Sequence, residues 1–164
     1  MSGDGTSART APLAYRQYSM IHDVYVLLDD GDRRVLSHFD LTLPQYRVLK
    51  LLDSQEGQRL TTLSACLLRA KSTITRIIDQ LEAEGLARRT GDPADRRAQL
   101  VVLTPAGQER LHQAQQAHEE AVQQRFDRAF NQQEQEMLRQ LLARLRDTLV
   151  QELHTAPDQD DHPG

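Results

Sequence analysis

Two short helical patterns joined by a brief link, with a hairpin pattern directly after them, constrain the fold of this chain more than any other feature. Residues 62–68 predict a short helix, and a second helical pattern follows after residues 69–71. The apolar residues of the second pattern share one face, and they are Ile74, Ile77, Ile78 and Leu81. Gly85 suits the left-handed residue that ends such a helix. This arrangement predicts a helix-turn-helix motif.

The segment that follows has the pattern of a β-hairpin. Two apolar-rich runs, 86–91 and 98–103, flank the polar segment 92–97, which contains a proline and several charges. A hairpin placed directly after a helix-turn-helix is the wing of a winged helix. The central part of the chain is therefore expected to be a winged helix-turn-helix.

Helical patterns also precede this central part. Apolar residues recur at helical spacing between Tyr18 and Leu36, although the polar run 29–32 is expected to bend that helix. Pro44 suits the first turn of a second helix that ends near Gly57. Residues 59–61 then leave room only for a fragment of a strand.

The last third of the chain predicts two more helices. Thr104 and Pro105 suit a helix cap and first residue, so a helix is expected over about 105–127. Asn131 and Glu134 have the spacing of a capping box before another helix. The leucines of that helix form one stripe, and they are Leu138, Leu141, Leu142, Leu145, Leu149 and Leu153. The stripe packs either on the chain's own helices or on a second subunit. We expect a second subunit, because the preceding helix offers little apolar surface.

Together these patterns predict a mainly α fold class, a winged helix-turn-helix with a small β-hairpin wing, flanked by helices at the N- and C-terminal ends. The chain has 164 residues, 38% of them hydrophobic, which is enough for one core, and a single unit is expected over 12–154. Within it, the winged helix is expected at about 43–104, with the flanking helices at about 12–37 and 105–154. The segments 1–11 and 155–164 lack apolar periodicity and are expected to be flexible tails.

Several classes of protein are not expected. No apolar run is long enough to cross a membrane, and the first residues lack the apolar stretch of a signal peptide, so a cytoplasmic location is expected. The single cysteine, Cys66, excludes an internal disulfide and argues against a structural zinc site. No phosphate-binding glycine loop, metal-ligand spacing or arranged pair of carboxylates is present, so neither an enzyme nor a cofactor is expected.

The charge of the chain is unevenly distributed. The net charge is −4, yet residues 59–97 contain eight basic and five acidic residues, a local excess of +3, while the remainder has −7. Such an excess favours a nucleic acid as partner only modestly, because charge runs are usually solvated surfaces. The motifs within this region decide between the two interpretations.

The outward face of the second helix of the motif has the chemistry of DNA recognition. When the isoleucines point inward, Ser72, Arg76 and Asp79 point outward, with Thr73 and Thr75 beside them. Arginine can hold guanine through two hydrogen bonds, and short hydroxyl side chains can contact other base edges in the major groove of duplex DNA. Ser72 has an alternative role as the helix N-cap, and Asp79 is expected to hold an arginine.

The basic residues around this helix have separate expected roles. Arg69, Lys71 and Arg88 are expected to contact phosphates. Two adjacent arginines at the expected hairpin tip, Arg96 and Arg97, are suited to a narrow minor groove, where negative potential is concentrated. An acid beside them would repel phosphate, so Asp95 is given a structural role in supporting the wing. Candidate DNA-contacting residues are Arg69, Lys71, Ser72, Thr73, Thr75, Arg76, Arg88, Arg96 and Arg97.

Residues 92–98, Asp-Pro-Ala-Asp-Arg-Arg-Ala, together with 103–107, Leu-Thr-Pro-Ala-Gly, resemble the wing signature of MarR-type (multiple antibiotic resistance) regulators. The segments 41–46, 72–76 and 79–86 resemble the same family in order and spacing. The resemblance covers roughly residues 18 to 153. It implies a recognition helix at about 72–83 and a wing at 86–103, with Arg97 at the position of the family's wing arginine. It also implies that the helices at both chain ends, about 12–37 and 105–154, are dimerisation helices.

The resemblance also implies how such a protein acts. A homodimer would bind a pseudo-palindromic operator in double-stranded DNA, usually as a repressor, and would release it when a small, often aromatic, molecule binds. Residues that could face the effector pocket are His22, Tyr25 and Tyr46. The alternative for each of these three is an ordinary core or interface residue.

Two alternative functions remain open at this stage. A thiol-sensing regulator of this family typically carries an exposed cysteine in the first helix, but this chain has none there. Cys66 is expected instead to be buried as a small hydrophobic residue among leucines. A winged-helix module that binds proteins rather than DNA is physically possible. Arg76, Arg96 and Arg97 argue against that second alternative.

Overall fold

The computed structural model describes residues 11–53 and 57–155. The described part forms helices and strands in this order: α1 Leu13–Ser37, α2 Leu43–Asp53, β1 Gln58–Arg59, α3 Leu60–Leu67, α4 Lys71–Ala83, β2 Ala87–Asp92, β3 Asp95–Leu103, α5 Pro105–Ala129 and α6 Gln132–Thr155. The expected fold class, a mainly helical chain with a small β-hairpin wing, is confirmed. The chain divides into two compact units, 1–119 and 120–164, and the boundary falls within the sequence of α5. The expected tails fall almost entirely outside the described residues.

The first helix is longer than the sequence predicts. α1 begins at Leu13 rather than near Tyr18, and it continues through Gly31 without interruption. Two ion pairs span the polar run in which a bend was expected. Asp29 pairs with Arg33, and Asp30 pairs with Arg34, both at 2.7 Å and one helical turn apart. Ion pairs at this spacing stabilise a helical conformation, so the polar run continues the helix.

The core of the first unit is built from the predicted apolar stripes. Tyr46, Val48, Leu49 and Leu52 of α2 are buried, and so are Ile74, Ile77, Ile78 and Leu81 of α4. Leu63 of α3, Val101 of β3 and Leu111 of α5 complete the same cluster. Burial of each such side chain contributes about 1.5–3 kcal/mol to folding. The core thus fixes which face of α4 is left for solvent.

The sheet has the strand order β1-β3-β2 and is antiparallel throughout. The predicted strand fragment near Arg59 is confirmed as β1, which pairs with the middle of β3. The hairpin loop is shorter than predicted, because Asp92 already pairs with Asp95 across the turn. The Asp92 carboxylate accepts a hydrogen bond from the Ala94 N–H at 2.8 Å, which closes this tight turn.

The junction between the wing and α5 is closely packed. Thr104 caps α5 as predicted, because its hydroxyl oxygen accepts the Gly107 N–H at 3.0 Å and its hydroxyl donates to the Gly85 carbonyl at 2.6 Å. A Cβ atom on Gly107 would lie 1.9 Å from the Leu86 carbonyl oxygen. Only glycine therefore allows the first turn of α5 to approach the start of the wing this closely.

In the second unit, α6 begins with the predicted capping box. The Asn131 N–H donates to Glu134 at 2.8 Å, and the Glu134 N–H donates to Asn131 at 3.0 Å. Large apolar side chains of α6 are exposed in the single chain by 42–73%, and they are Met137, Leu141, Leu142, Leu145, Leu149, Val150 and Leu153. Among the described residues, no helix is long and apolar enough to cross a membrane.

Candidate nucleic-acid interface

The solvent-facing side of α4 carries the polar residues that the sequence predicts for it. Ser72, Arg76 and Asp79 are exposed, and Thr73 and Thr75 are partly exposed. The Thr75 hydroxyl donates to the Lys71 carbonyl at 2.9 Å, so its oxygen is left as an acceptor. α4 begins at Lys71 with Ala70 as its cap residue, so the expectation that Ser72 caps the helix is wrong. The Ser72 side chain lies within the first helical turn.

The link between α3 and α4 is held by side-chain and backbone hydrogen bonds. Leu68 ends α3 in the left-handed conformation, with φ of 49°. The Arg69 N–H donates to the Ser64 carbonyl at 3.1 Å, and the Ser64 hydroxyl donates to the Arg69 carbonyl at 2.5 Å. This reciprocal pair sets the angle at which α4 leaves α3.

Arg89 joins α4 to the wing. On β2, its backbone N–H donates to Glu82 at 2.7 Å, and its guanidinium donates to Glu82 and, at 2.7 Å, to Asp79. The prediction that Asp79 holds an arginine is therefore confirmed. Because Asp79 and Glu82 lie on α4 while Arg89 lies on β2, this network relates the orientation of the helix to that of the wing.

A second ion pair holds the tip of the wing. Asp92 is only 8% exposed, and it accepts hydrogen bonds from the Arg59 guanidinium at 2.5 and 3.0 Å. The Ala94 N–H, followed by the Arg59 guanidinium, lowers the pKa of Asp92 below its ordinary value. Asp95, the residue expected to support the wing, lies 3.9 Å from the same guanidinium. The closer contacts belong to Asp92, which the sequence analysis did not single out.

Five basic side chains on or near α4 have no acidic partner in the part of the chain that the structure describes. Among the described residues, no hydrogen bond or ion pair engages the side chains of Arg47, Arg69, Lys71, Arg76 or Arg88, all of which are exposed. Most other arginines of the first unit whose side chains the structure describes are paired with carboxylates, including Arg33, Arg59 and Arg89. Unpaired positive charge is thus concentrated around α4 and its neighbouring elements. Such a surface attracts an anionic partner.

Other predicted site residues fall in different places. Arg96 and Arg97 lie in β3 near the turn, but their side chains are outside the described part of the structure. Arg88 lies on β2, and its side chain is exposed. Arg47 was not predicted, although its position on the exposed face of the α2 pattern could have indicated it. Arg59 was missed because its partner Asp92 is 33 residues away in the chain.

The three residues proposed for an effector pocket do not share one environment. His22 and Tyr25 lie on the exposed surface of α1, whereas Tyr46 is 2% exposed on α2. The Tyr46 hydroxyl has no hydrogen-bond partner among the described residues, and its ring lies 5.2 Å from that of His118. Burial, followed by the negative charges of Glu119 and Asp32, raises the pKa of Tyr46 to about 12.

The expected burial of Cys66 is wrong. Its side chain is exposed on α3, because the inward face of that short helix is formed by Leu60, Leu63 and Leu67. Cys66 lies about a quarter turn away from this stripe at 100° per residue. Burial therefore no longer argues against thiol chemistry, while the lack of a cysteine in α1 still does.

The chain is similar to known regulators. A family model described as the MarR family matches residues 41–98. Transcriptional regulator HosA of Escherichia coli O111:H- is 32% identical over 106 residues, which cover 65% of this chain and 78% of that protein. The HTH-type transcriptional repressor IacR of Pseudomonas putida is 29% identical over 93 residues, which cover 57% of this chain and 56% of that protein.

A solved structure of a mutant MarR from E. coli, in complex with operator DNA, matches with a TM-score of 0.72 at 27% identity. The match covers 77% of this chain and 91% of the MarR chain. The fold similarity therefore extends well beyond the residues that the family model matches.

Proposed function

This chain belongs to the MarR family of transcriptional regulators, and from this premise we propose that it represses transcription as a homodimer bound to a pseudo-palindromic operator. The observation that carries the proposal is the outward face of α4, where Ser72 and Arg76 are exposed beside cations that lack acidic partners. The operator-bound MarR structure, which shares this fold, supports the same mode of binding.

In the proposed complex, α4 enters the major groove. Ser72, Thr73, Thr75 and Arg76 read base edges, with Arg76 suited to guanine and the Thr75 oxygen available only as an acceptor. Phosphate contacts are assigned to three nearby cations, Arg69, Lys71 and Arg88. Arg96 or Arg97 is assigned to the minor groove, and Asp95 supports the wing together with the Arg59–Asp92 pair.

The exposed apolar faces of the terminal helices support a dimer. α1 exposes Leu13, Tyr18, Ile21, Val24 and Leu27, and α6 exposes its leucine stripe. Faces of this size seldom stay uncovered in water. We assign dimerisation to about 12–37 and 105–154 and DNA binding to about 43–104. A two-fold dimer would place its α4 helices on half-sites about 10 base pairs apart.

The remaining assignments follow from the regulatory role. The protein would work in the cytoplasm, together with the DNA it regulates, and would not act as an enzyme. A small, aromatic effector would release the operator. Of the three predicted contacts, His22, Tyr25 and Tyr46, we assign the effector to Tyr46, because the other two lie on the exposed surface of α1. The Tyr46 hydroxyl supports this location, because it is a buried polar group without a hydrogen-bond partner among the described residues and could bond to a ligand.

Fluorescence anisotropy with the DNA upstream of the protein's own gene and with random duplex, each at two salt concentrations, tests the proposal. Specific binding should favour the upstream DNA and should weaken as salt rises. Arg76→Ala should cost about 1–3 kcal/mol on the operator and relax preference at one base pair per half-site. Lys71→Ala should weaken operator and random DNA about equally.

Two results would count against these roles. Equal loss on both DNAs for Arg76→Ala would rule out base reading by Arg76. Equal, salt-insensitive binding of the unmodified protein to both DNAs would favour a protein-binding module instead. Arg128→Ala, an exposed arginine change in the second unit, serves as the control for loss of one positive charge.

A further inference from the structure

A hollow of about 650 Å³ lies beside α4 in the first unit. It is bounded by the last turns of α1, the start of α2, the end of α3 and one side of α4. Four arginines line it, and they are Arg33, Arg47, Arg69 and Arg76. We call this feature the cationic hollow. Its volume lies within the range of about 300–1,000 Å³ that is usual for sites of small organic ligands.

Three of the four arginines of the cationic hollow have no carboxylate partner among the described residues. Arg33 pairs with Asp29 at 2.7 Å, but the side chains of Arg47, Arg69 and Arg76 have no hydrogen bond or ion pair with the described residues. Within the described part of the chain, no aspartate or glutamate lines the hollow. Several guanidinium groups around one concave site favour an anion with several oxygen atoms, because each group can donate two parallel hydrogen bonds.

The interior of the cationic hollow is apolar. Leu43 and Ile77, each less than 10% exposed, line it together with other aliphatic side chains, and no aromatic residue does. A phosphate group alone would leave this surface in contact with water. A ligand with an aliphatic body would cover it, at about 25 cal/mol for each Å² of apolar surface removed from water.

We propose that the cationic hollow binds an organic diphosphate with an aliphatic chain, and that this ligand and DNA exclude each other. The exclusion rests on the proposed function, because Thr73 and Arg76 line the hollow and also belong to the proposed base-reading face. DNA phosphates are another source of the same anionic chemistry. They can reach the arginines at the rim, but they carry no aliphatic chain that would fill the interior.

Titration calorimetry of the full chain without DNA, in metal-free buffer, tests the site directly. Geranyl diphosphate is the probe, inorganic pyrophosphate tests the head group alone, and geraniol tests the chain alone. The variant is Arg47→Gln, which removes one unpaired guanidinium and lies outside the proposed base-reading set. Arg128→Gln is the matched control, and circular dichroism verifies that both variants are folded.

The expected result is one geranyl diphosphate bound per chain, with pyrophosphate at least about ten-fold weaker and no binding of geraniol. Arg47→Gln should weaken geranyl diphosphate about ten-fold or more, since it removes charged hydrogen bonds, and Arg128→Gln should leave binding unchanged. In anisotropy, the apparent Kd for upstream DNA should rise linearly with the diphosphate concentration from its ligand-free value, as direct competition requires.

Three results would overturn the inference: no binding of geranyl diphosphate, equal binding of pyrophosphate, or binding that Arg47→Gln does not weaken. Simultaneous binding of diphosphate and DNA would overturn the exclusion. A chain that binds upstream DNA but no diphosphate would leave the proposed function intact and refute only this inference. A chain that binds diphosphate through Arg47 but no DNA would support the site and contradict the proposed function.

Discussion

Arg89 is expected to position the wing against the recognition helix rather than to contact DNA itself. Its side chain is 22% exposed and reaches Glu82, 29% exposed, and Asp79, 58% exposed. A partly buried hydrogen bond between charged groups contributes about 1.5–3 kcal/mol, while an exposed ion pair contributes about 0.2–1 kcal/mol. After allowance for solvent screening of the more exposed partner, Arg89→Met should lower the free energy of unfolding by about 2 kcal/mol.

Equilibrium unfolding in urea, at one fixed protein concentration because a dimer is expected, measures this loss. A double-mutant cycle with Glu82→Gln separates the pair from other effects of each change. The coupling between Arg89 and Glu82 should be about 1–2 kcal/mol. The same cycle with Asp79→Asn should give less than about 1 kcal/mol, because that carboxylate is more exposed.

Operator affinity, measured on the same proteins, distinguishes positioning from direct contact. If Arg89 acts through Glu82, Arg89→Met should weaken operator binding less in the Glu82→Gln background than in the unmodified protein. A phosphate contact would give the same loss in both backgrounds. Unchanged stability in Arg89→Met, together with equal losses of affinity in the two backgrounds, would refute the reasoning.

Three further predictions concern stability. Gly107→Ala should lower the free energy of unfolding by about 1–3 kcal/mol or more, because its Cβ would meet a carbonyl oxygen at 1.9 Å; Gly91→Ala, with open space around it, is the control in urea unfolding, and similar losses would contradict this account. Asp92→Asn should lower the free energy of unfolding at pH 7, and the gap in this free energy between the variant and the unmodified protein should narrow below about pH 4. Because the pKa of Asp92 is lower in the folded protein than its value of about 3.9 in the unfolded chain, the carboxylate stabilises the fold above that pH, and this contribution is lost as the carboxylate is protonated. If the urea midpoints of the variant and the unmodified protein differ by the same amount at pH 3 as at pH 7, this account is wrong. Tyr46→Phe should raise the free energy of unfolding by at most about 1 kcal/mol, because the buried hydroxyl has no hydrogen-bond partner among the described residues. Since the pKa of Tyr46 is raised to about 12, the unmodified protein should lose stability between about pH 10 and 12 relative to the variant. A lower melting temperature of Tyr46→Phe at pH 7 would show that the hydroxyl makes a stabilising hydrogen bond, contrary to this account.

The parts of the fold that follow from local chemistry could be predicted from the sequence. The inward faces of α2 and α4 follow from helical periodicity, because a stripe of apolar residues must turn away from water. The caps at Thr104 and Asn131 are formed with residues only three positions further along the chain. The outward position of Ser72 and Arg76 follows from the same helical periodicity, because these residues lie opposite the apolar stripe of α4.

Some features depended on how short elements begin and end. α3 ends at Leu67, so Leu68 lies outside the helix and is 85% exposed, although it was expected beside a buried Cys66. α4 begins at Lys71, which leaves Ser72 inside the helix rather than at its cap. Helix ends in such short segments are set by the link between them, here held by Ser64, rather than by propensity. The sequence pattern does not contain that information.

The sequence by itself determined the winged-helix fold, the face of α4 that meets solvent and the basic region around it, because these depend on periodicity and on contacts between near neighbours. Only the tertiary structure decided which arginines are neutralised by partners and which are left for an anion. Arg59 and Asp92 are far apart in the chain, and the cationic hollow draws its arginines from separate elements. Ionic contacts of this kind depend on distances in space, which arise only after the core has fixed the helices and strands in place.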